Sequence, residues 1–119
     1  MSLALTTREV GDVTVLEVAG KLLLGEGSNT LREALRNLVA KDHKKLLLDL
    51  GKLSYIDSTG IGELVGGFVS VKNHGGQVKL LHLTKRLEDI LQITKLATVF
   101  ELFDDEQRAI QSFSQAASA

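Results

Sequence analysis

The sequence predicts an α/β fold: a mixed β-sheet that opens with an N-terminal hairpin and is flanked by helices, in the order β-β-α-β-α-β-α-β-α. Three observations predict it. Two alternating stretches near the amino terminus are separated by Gly11-Asp12, a pair suited to a tight turn. Leu46, Leu47 and Leu48 form an apolar run without alternation, the pattern of a strand covered on both faces. From there on, helix-like and strand-like segments alternate, which calls for parallel pairing and right-handed crossovers.

In chain order, Leu3 to Glu9 and Val13 to Ala19 read as two antiparallel strands. Leu31, Leu35, Leu38 and Val39 recur at helical spacing and predict a helix from Ser28 to Ala40, with Thr30 and Glu33 spaced as a capping box. "KKLLLDL" supplies the central strand. Ile61, Leu64, Val65 and Phe68 stand at i, i+3, i+4 and i+7, so a second helix starts inside "YIDSTGIGEL" and ends near Gly75-Gly76. "QVKLLHL" is a further strand. "TKRLEDILQIT" has Leu87, Ile90 and Leu91 on one face and Thr84 as N-cap. "ATVFEL" reads as a short strand, and Asp104-Asp105 precede a last helix striped by Ala109, Ile110 and Phe113.

Residues 1–119 fit a single domain, with 1–3 set aside as a candidate expression scar and 114–119 as a frayed tail. Hydrophobic residues make up 44% and charged residues 24%, an ordinary globular balance. Fourteen Lys and Arg against fifteen Asp and Glu give a formal charge of −1, so there is no global basic field and direct binding of nucleic acid is not expected. The chain has no cysteine, which removes disulfides and thiolate chemistry. No apolar run reaches the ~20 residues of a membrane helix. No membrane insertion and a cytoplasmic location are the expectations.

Catalytic and ligand motifs are weak. His43, His74 and His82 lie far apart and in no ligand spacing, so no metal is expected. "GIGELVGG" lacks the lysine and hydroxyl of a phosphate-binding loop and the spacing of a dinucleotide fingerprint, so no cofactor is expected. A nucleophile elbow needs glycine where Ile56 stands. An aspartic-protease reading of Asp57 is opposed by Thr59, which separates Ser58 from Gly60, and by the helical pattern that follows. Neither enzymatic activity nor a catalytic residue is expected.

Asp57, Ser58 and Thr59 are all residues that favour helix N-caps, and one cap explains one of them. The surplus leaves a hydroxyl free to face solvent. Gly62 and Gly66, one turn apart beside the apolar stripe, would let a partner approach closely. A hydroxyl here, without a base, is a poor nucleophile but a reasonable phosphate acceptor, because an added phosphate would sit near helix N–H groups. The added charge, about −1.5 to −2, would join that of Asp57 and Glu63 and disfavour a partner fitted to the uncharged surface.

"LLLDLGKLSYIDSTGIGELV" resembles the central block of the bacterial anti-sigma factor antagonists, which are stand-alone STAS domains. The resemblance continues through "NHGGQVKLLHLT" and "LEDILQITKLATVFELFDDEQRAIQSF", from about Gly11 to Phe113. It implies a STAS-like fold and a partner switch that regulates transcription indirectly. Ser58 is then the residue phosphorylated by an anti-sigma factor that is also a serine kinase, and a PP2C-type phosphatase reverses the modification. The implied partner-binding residues are Asp57, Ser58, Thr59, Gly60, Gly62 and Gly66.

The sequence departs from the family at Gly20-Lys21-Leu22-Leu23, where Gly-Glu-Leu-Asp or a close variant is common. Glu26 is the next carboxylate. The alternative reading is a constitutive STAS interaction module of a lipid-transport or stress-signalling complex, with Ser58 a cap alone. Oligomeric state, a homodimer included, stays open.

Overall fold

The computed structural model describes residues 3–118, with side chains through Ser114; Met1 and Ser2 of the proposed scar, and Ala119, lie outside the described residues. Strands β1 (Leu3–Val10) and β2 (Val13–Leu22) form the expected hairpin, and Gly11 takes the positive φ of 62° that its turn requires. Helix α1 (Glu26–Ala40) leads to β3 (Lys45–Asp49) and β4 (Leu53–Ile56). Helix α2 (Ser58–Asn73), β5 (Gln77–Leu81), α3 (Lys85–Ile93), a 3₁₀ turn (Leu96–Thr98), β6 (Glu101–Phe103) and α4 (Glu106–Ser118) complete the chain.

The sheet runs β1-β2-β3-β5-β6, with β1 antiparallel to β2 and the other neighbours parallel. β4 also pairs with β2, at its far end: Lys21 lies beside Tyr55 and Leu22 beside Ile56. β4 thus prolongs the line of β3 after the turn at Leu50–Lys52 and carries the chain to the C-terminal rim of the sheet.

Side chains alternate across the strands and build two cores. Leu16, Val18, Leu46, Leu48, Val78 and Leu80 meet α1, α2 and α3 through Leu31, Leu35, Leu64, Val71, Leu87 and Leu91. On the opposite face, Val13, Val15, Leu47 and Leu81 meet Ala109 and Phe113 of α4. The three-leucine run of β3 is apolar on both faces for this reason. Lys79, 1% exposed, lies under α4; its Nζ donates to Ser112 Oγ at 2.8 Å and stands 4.6 Å from the Phe113 ring centroid, so the ammonium is hydrogen-bonded as burial demands.

Three expectations are corrected. The first helix starts at Glu26, and the Thr30/Glu33 capping box is not its cap: Gly25, at φ 100°, turns the chain into the helix without a side-chain cap. The second is β4, four residues long, a strand that the expected order lacks; its pairing with β2 is a tertiary contact that local pattern does not encode. Third, "ATVFEL" contributes a 3₁₀ turn, and β6 begins only at Glu101. Phe100 is buried edge-on against Phe68, with ring centroids 5.3 Å apart, and this packing overrides the local strand preference. The last helix, α4, runs to Ser118.

Phe113→Ala should lower the free energy of unfolding by about 3–5 kcal/mol, because it empties the smaller core. Urea denaturation followed by circular dichroism checks the value.

Candidate functional site

The site is built where β2 and β4 end together. Asp57 N–H donates to Leu22 O at 3.3 Å, which closes the two strand ends, and Asp57 then takes extended backbone angles and caps α2. Its Oδ1 accepts from Gly60 N–H at 2.8 Å and its Oδ2 from Leu24 N–H at 3.0 Å. One carboxylate therefore fixes both the first turn of α2 and the loop that follows β2.

These bonds hold the Asp57 carboxyl below the usual carboxylate range, the Leu24 N–H contributing most and that of Gly60 next. Because the folded-state value is depressed, the stabilisation is complete above the ordinary Asp range. It is lost as pH falls through the depressed value.

Asp57 is therefore the cap among the three candidates. Ser58 is the first residue of α2 and is exposed; Thr59 is half-buried. Among the described residues neither hydroxyl makes a side-chain hydrogen bond, and no base is placed to activate Ser58. The chain itself supplies no base to Ser58, so attack by its hydroxyl would need a base from outside the chain.

The glycines divide by role. Gly60, expected at the partner surface, is buried: a Cβ there would lie 2.4 Å from Leu22 O and 2.8 Å from Ile56 Cγ1, so its glycine serves the chain's own strand–helix junction. Gly62 and Gly66 are exposed, and a Cβ at either would meet nothing within 4 Å. The close helix–helix approach falls instead at Gly67, whose Cβ would come within 2.4 Å of Leu35 Cδ1. A groove of about 210 Å³ runs between α1 and α2, with Arg32, Arg36, Glu63 and Gly66 in its walls.

The electrostatics differ from expectation at Glu63. It forms a two-point ion pair with Arg32 of α1, in which Arg32 Nε donates to Oε1 at 3.2 Å and Nη2 to Oε2. With Asp57 engaged by backbone N–H groups, the two acids expected to make the helix start negative are both locally compensated. Leu24, which the sequence reading passed over, is 75% exposed and stands on the loop tied to Asp57. Its signal was available: a third consecutive leucine, Leu22 to Leu24, exceeds what the end of a strand buries. Lys21 is exposed on β2 and Leu23 half-buried, so no carboxylate occupies either position. Glu26 is exposed in the first turn of α1.

Comparison with known proteins gives consistent relatives. The model of the STAS domain family matches residues 4–109. The chain is 38% identical over 81 residues to the anti-sigma-B factor antagonist of Bacillus subtilis, spanning 68% of this chain and 73% of that protein. The crystal structure of an anti-sigma factor antagonist from Mycobacterium paratuberculosis superposes with a TM-score of 0.79 at 19% identity, covering 93% of each chain. The Bacillus cell fate determinant SpoIIAA in its phosphorylated form superposes with a TM-score of 0.73 at 19% identity, covering 92% of this chain and 99% of that one. At these identities the two structures establish a shared fold.

Two outcomes check the junction. Gly60→Ala should destabilise by about 1–3 kcal/mol through overpacking, whereas Gly62→Ala should stabilise by up to ~1 kcal/mol through helix propensity; parallel chemical denaturation distinguishes them. Between neutral pH and the acid side of the carboxylate range, Asp57→Asn should show a flatter fall in melting temperature than the wild type, read by thermal scans at fixed ionic strength.

Proposed function

Because the chain belongs to the STAS domain family, we propose that it works as an anti-sigma factor antagonist switched by phosphorylation of Ser58. In the unmodified form it binds an anti-sigma factor that is also a serine kinase, and so frees a sigma factor. The phosphorylated form lets the kinase go, and a PP2C-type phosphatase restores the first state. The protein acts in the cytoplasm and touches no DNA itself.

The observation that carries this reading is the division of labour at the start of α2. Asp57 satisfies the helix cap and the loop, which leaves Ser58 exposed and, among the described residues, its hydroxyl without a hydrogen-bond partner. A phosphate added at the first helical position would lie near free N–H groups and the positive end of the helix dipole, so the fold would tolerate it. The docking face would change from near-neutral to strongly anionic. The name of the Bacillus subtilis relative supports the antagonist role, and the phosphorylated form of SpoIIAA supports modification within this fold.

The same geometry supports an assignment of the site residues. Ser58, Thr59, Gly62 and Gly66 form the contact surface with Leu24 beside them, while Asp57 and Gly60 hold that surface in shape. Lys21 and Leu23 alter how the kinase is recognised and leave the acceptor unchanged.

Incubation with the anti-sigma factor kinase of the same organism and ATP should place one phosphate on Ser58, located by peptide mass spectrometry. Ser58→Ala should stay bound to the kinase when ATP is present, while Ser58→Asp should be captured about tenfold less well or worse. An unphosphorylated Ser58 after prolonged incubation, with binding intact, would instead favour a constitutive interaction module.

A further inference from the structure

We propose that Lys21, Tyr55 and Arg86, the tyrosine three residues before Ser58 in the chain, form a recognition patch that takes a carboxylate-bearing segment of the partner protein, a partner whose existence rests on the antagonist reading above. Lys21 and Tyr55 are register partners in the β2–β4 pairing, so their side chains leave the sheet side by side on one face. Arg86, from the first turn of α3, stacks on Tyr55 with its guanidinium carbon 5.0 Å from the ring centroid. Tyr55 is 43% exposed, and with Ser54, Thr84 and Arg86 it lines a shallow depression.

The charges around this patch are unevenly spent. Lys52 pairs with Glu17 and Lys85 with Asp89. Lys21 and Arg86 form no ion pair among the described residues. Asp57, the acid nearest Tyr55 in the chain, has both oxygens engaged by backbone N–H groups. Two free cations therefore flank an exposed aromatic ring, three residues before the acceptor serine.

This chemistry fits an acid on a protein rather than a polyanion. Stacking holds the guanidinium plane and leaves its N–H edge free to fork a carboxylate, which lowers the ordering cost of binding. Tyr and Arg are also the side chains that most often dominate protein interfaces. Nucleic acid would need a wider basic field, which a chain of net charge −1 does not present. An acidic partner segment also gives the switch its sign, since a phosphate on Ser58 would carry the same charge as the carboxylates docked beside it and would repel them.

The test uses the whole protein and the anti-sigma factor kinase of the same organism, without ATP. Carbodiimide coupling joins an amine to a carboxylate in direct contact, and mass spectrometry should find Lys21 joined to an Asp or Glu of the kinase. In titrations at low salt, Lys21→Glu and Arg86→Glu should each bind about tenfold more weakly or worse, and Lys21→Gln less severely; the differences should shrink as salt is raised. Charge-reversed variants that bind as tightly as the wild type or tighter would overturn the patch. If Ser58→Asp still binds weakly in that case, the switch itself stands. Failure of the unmodified wild type to bind would overturn the antagonist reading and the patch together.

Discussion

A single carboxylate organises the functional end of this molecule. Asp57 receives one hydrogen bond from the first turn of α2 and another from the loop after β2, so the sheet rim, the loop and the helix start share one anchor. Such charge-assisted bonds are stronger than neutral ones and satisfy backbone donors that a helix start otherwise leaves open. Gly60 completes the junction by letting α2 settle against Leu22 at a distance no side chain permits. With the cap supplied by its neighbour, the Ser58 hydroxyl is not needed for that bond and is exposed.

The two-faced sheet explains why modification there need not disturb the fold. The larger core lies between the sheet and α1, α2 and α3, and the smaller one under α4. Ser58 belongs to neither. A charge placed on it changes a surface potential and meets no packed side chain, which is what a reversible binding switch requires.

Much of this was legible in the sequence. The β-hairpin, the doubly covered β3, the spacing of α2 and the Thr84 cap all follow from periodicity and turn chemistry, and each is present in the structure. The surplus of cap residues at Asp57-Ser58-Thr59 pointed to a free hydroxyl, although composition alone did not say which residue caps. Three features required tertiary information. β4 exists because β2 extends far enough to pair with it. The glycines of α2 divide into packed and open ones according to what Leu22 and Leu35 occupy. The helix start is less acidic than its residues suggest because Glu63 is matched by Arg32 from another helix. The patch at Lys21, Tyr55 and Arg86 is of the same kind: its members are scattered in sequence and brought together by strand register and by the placement of α3.

The proposed switch is phosphate on Ser58, which lowers the affinity for the anti-sigma factor that the surrounding surface provides. Calorimetric titration of that factor with unmodified protein and with enzymatically phosphorylated protein, the latter confirmed as folded, tests it most directly. A loss of affinity of about tenfold or more is expected on phosphorylation. Equal affinities for the two forms would contradict it.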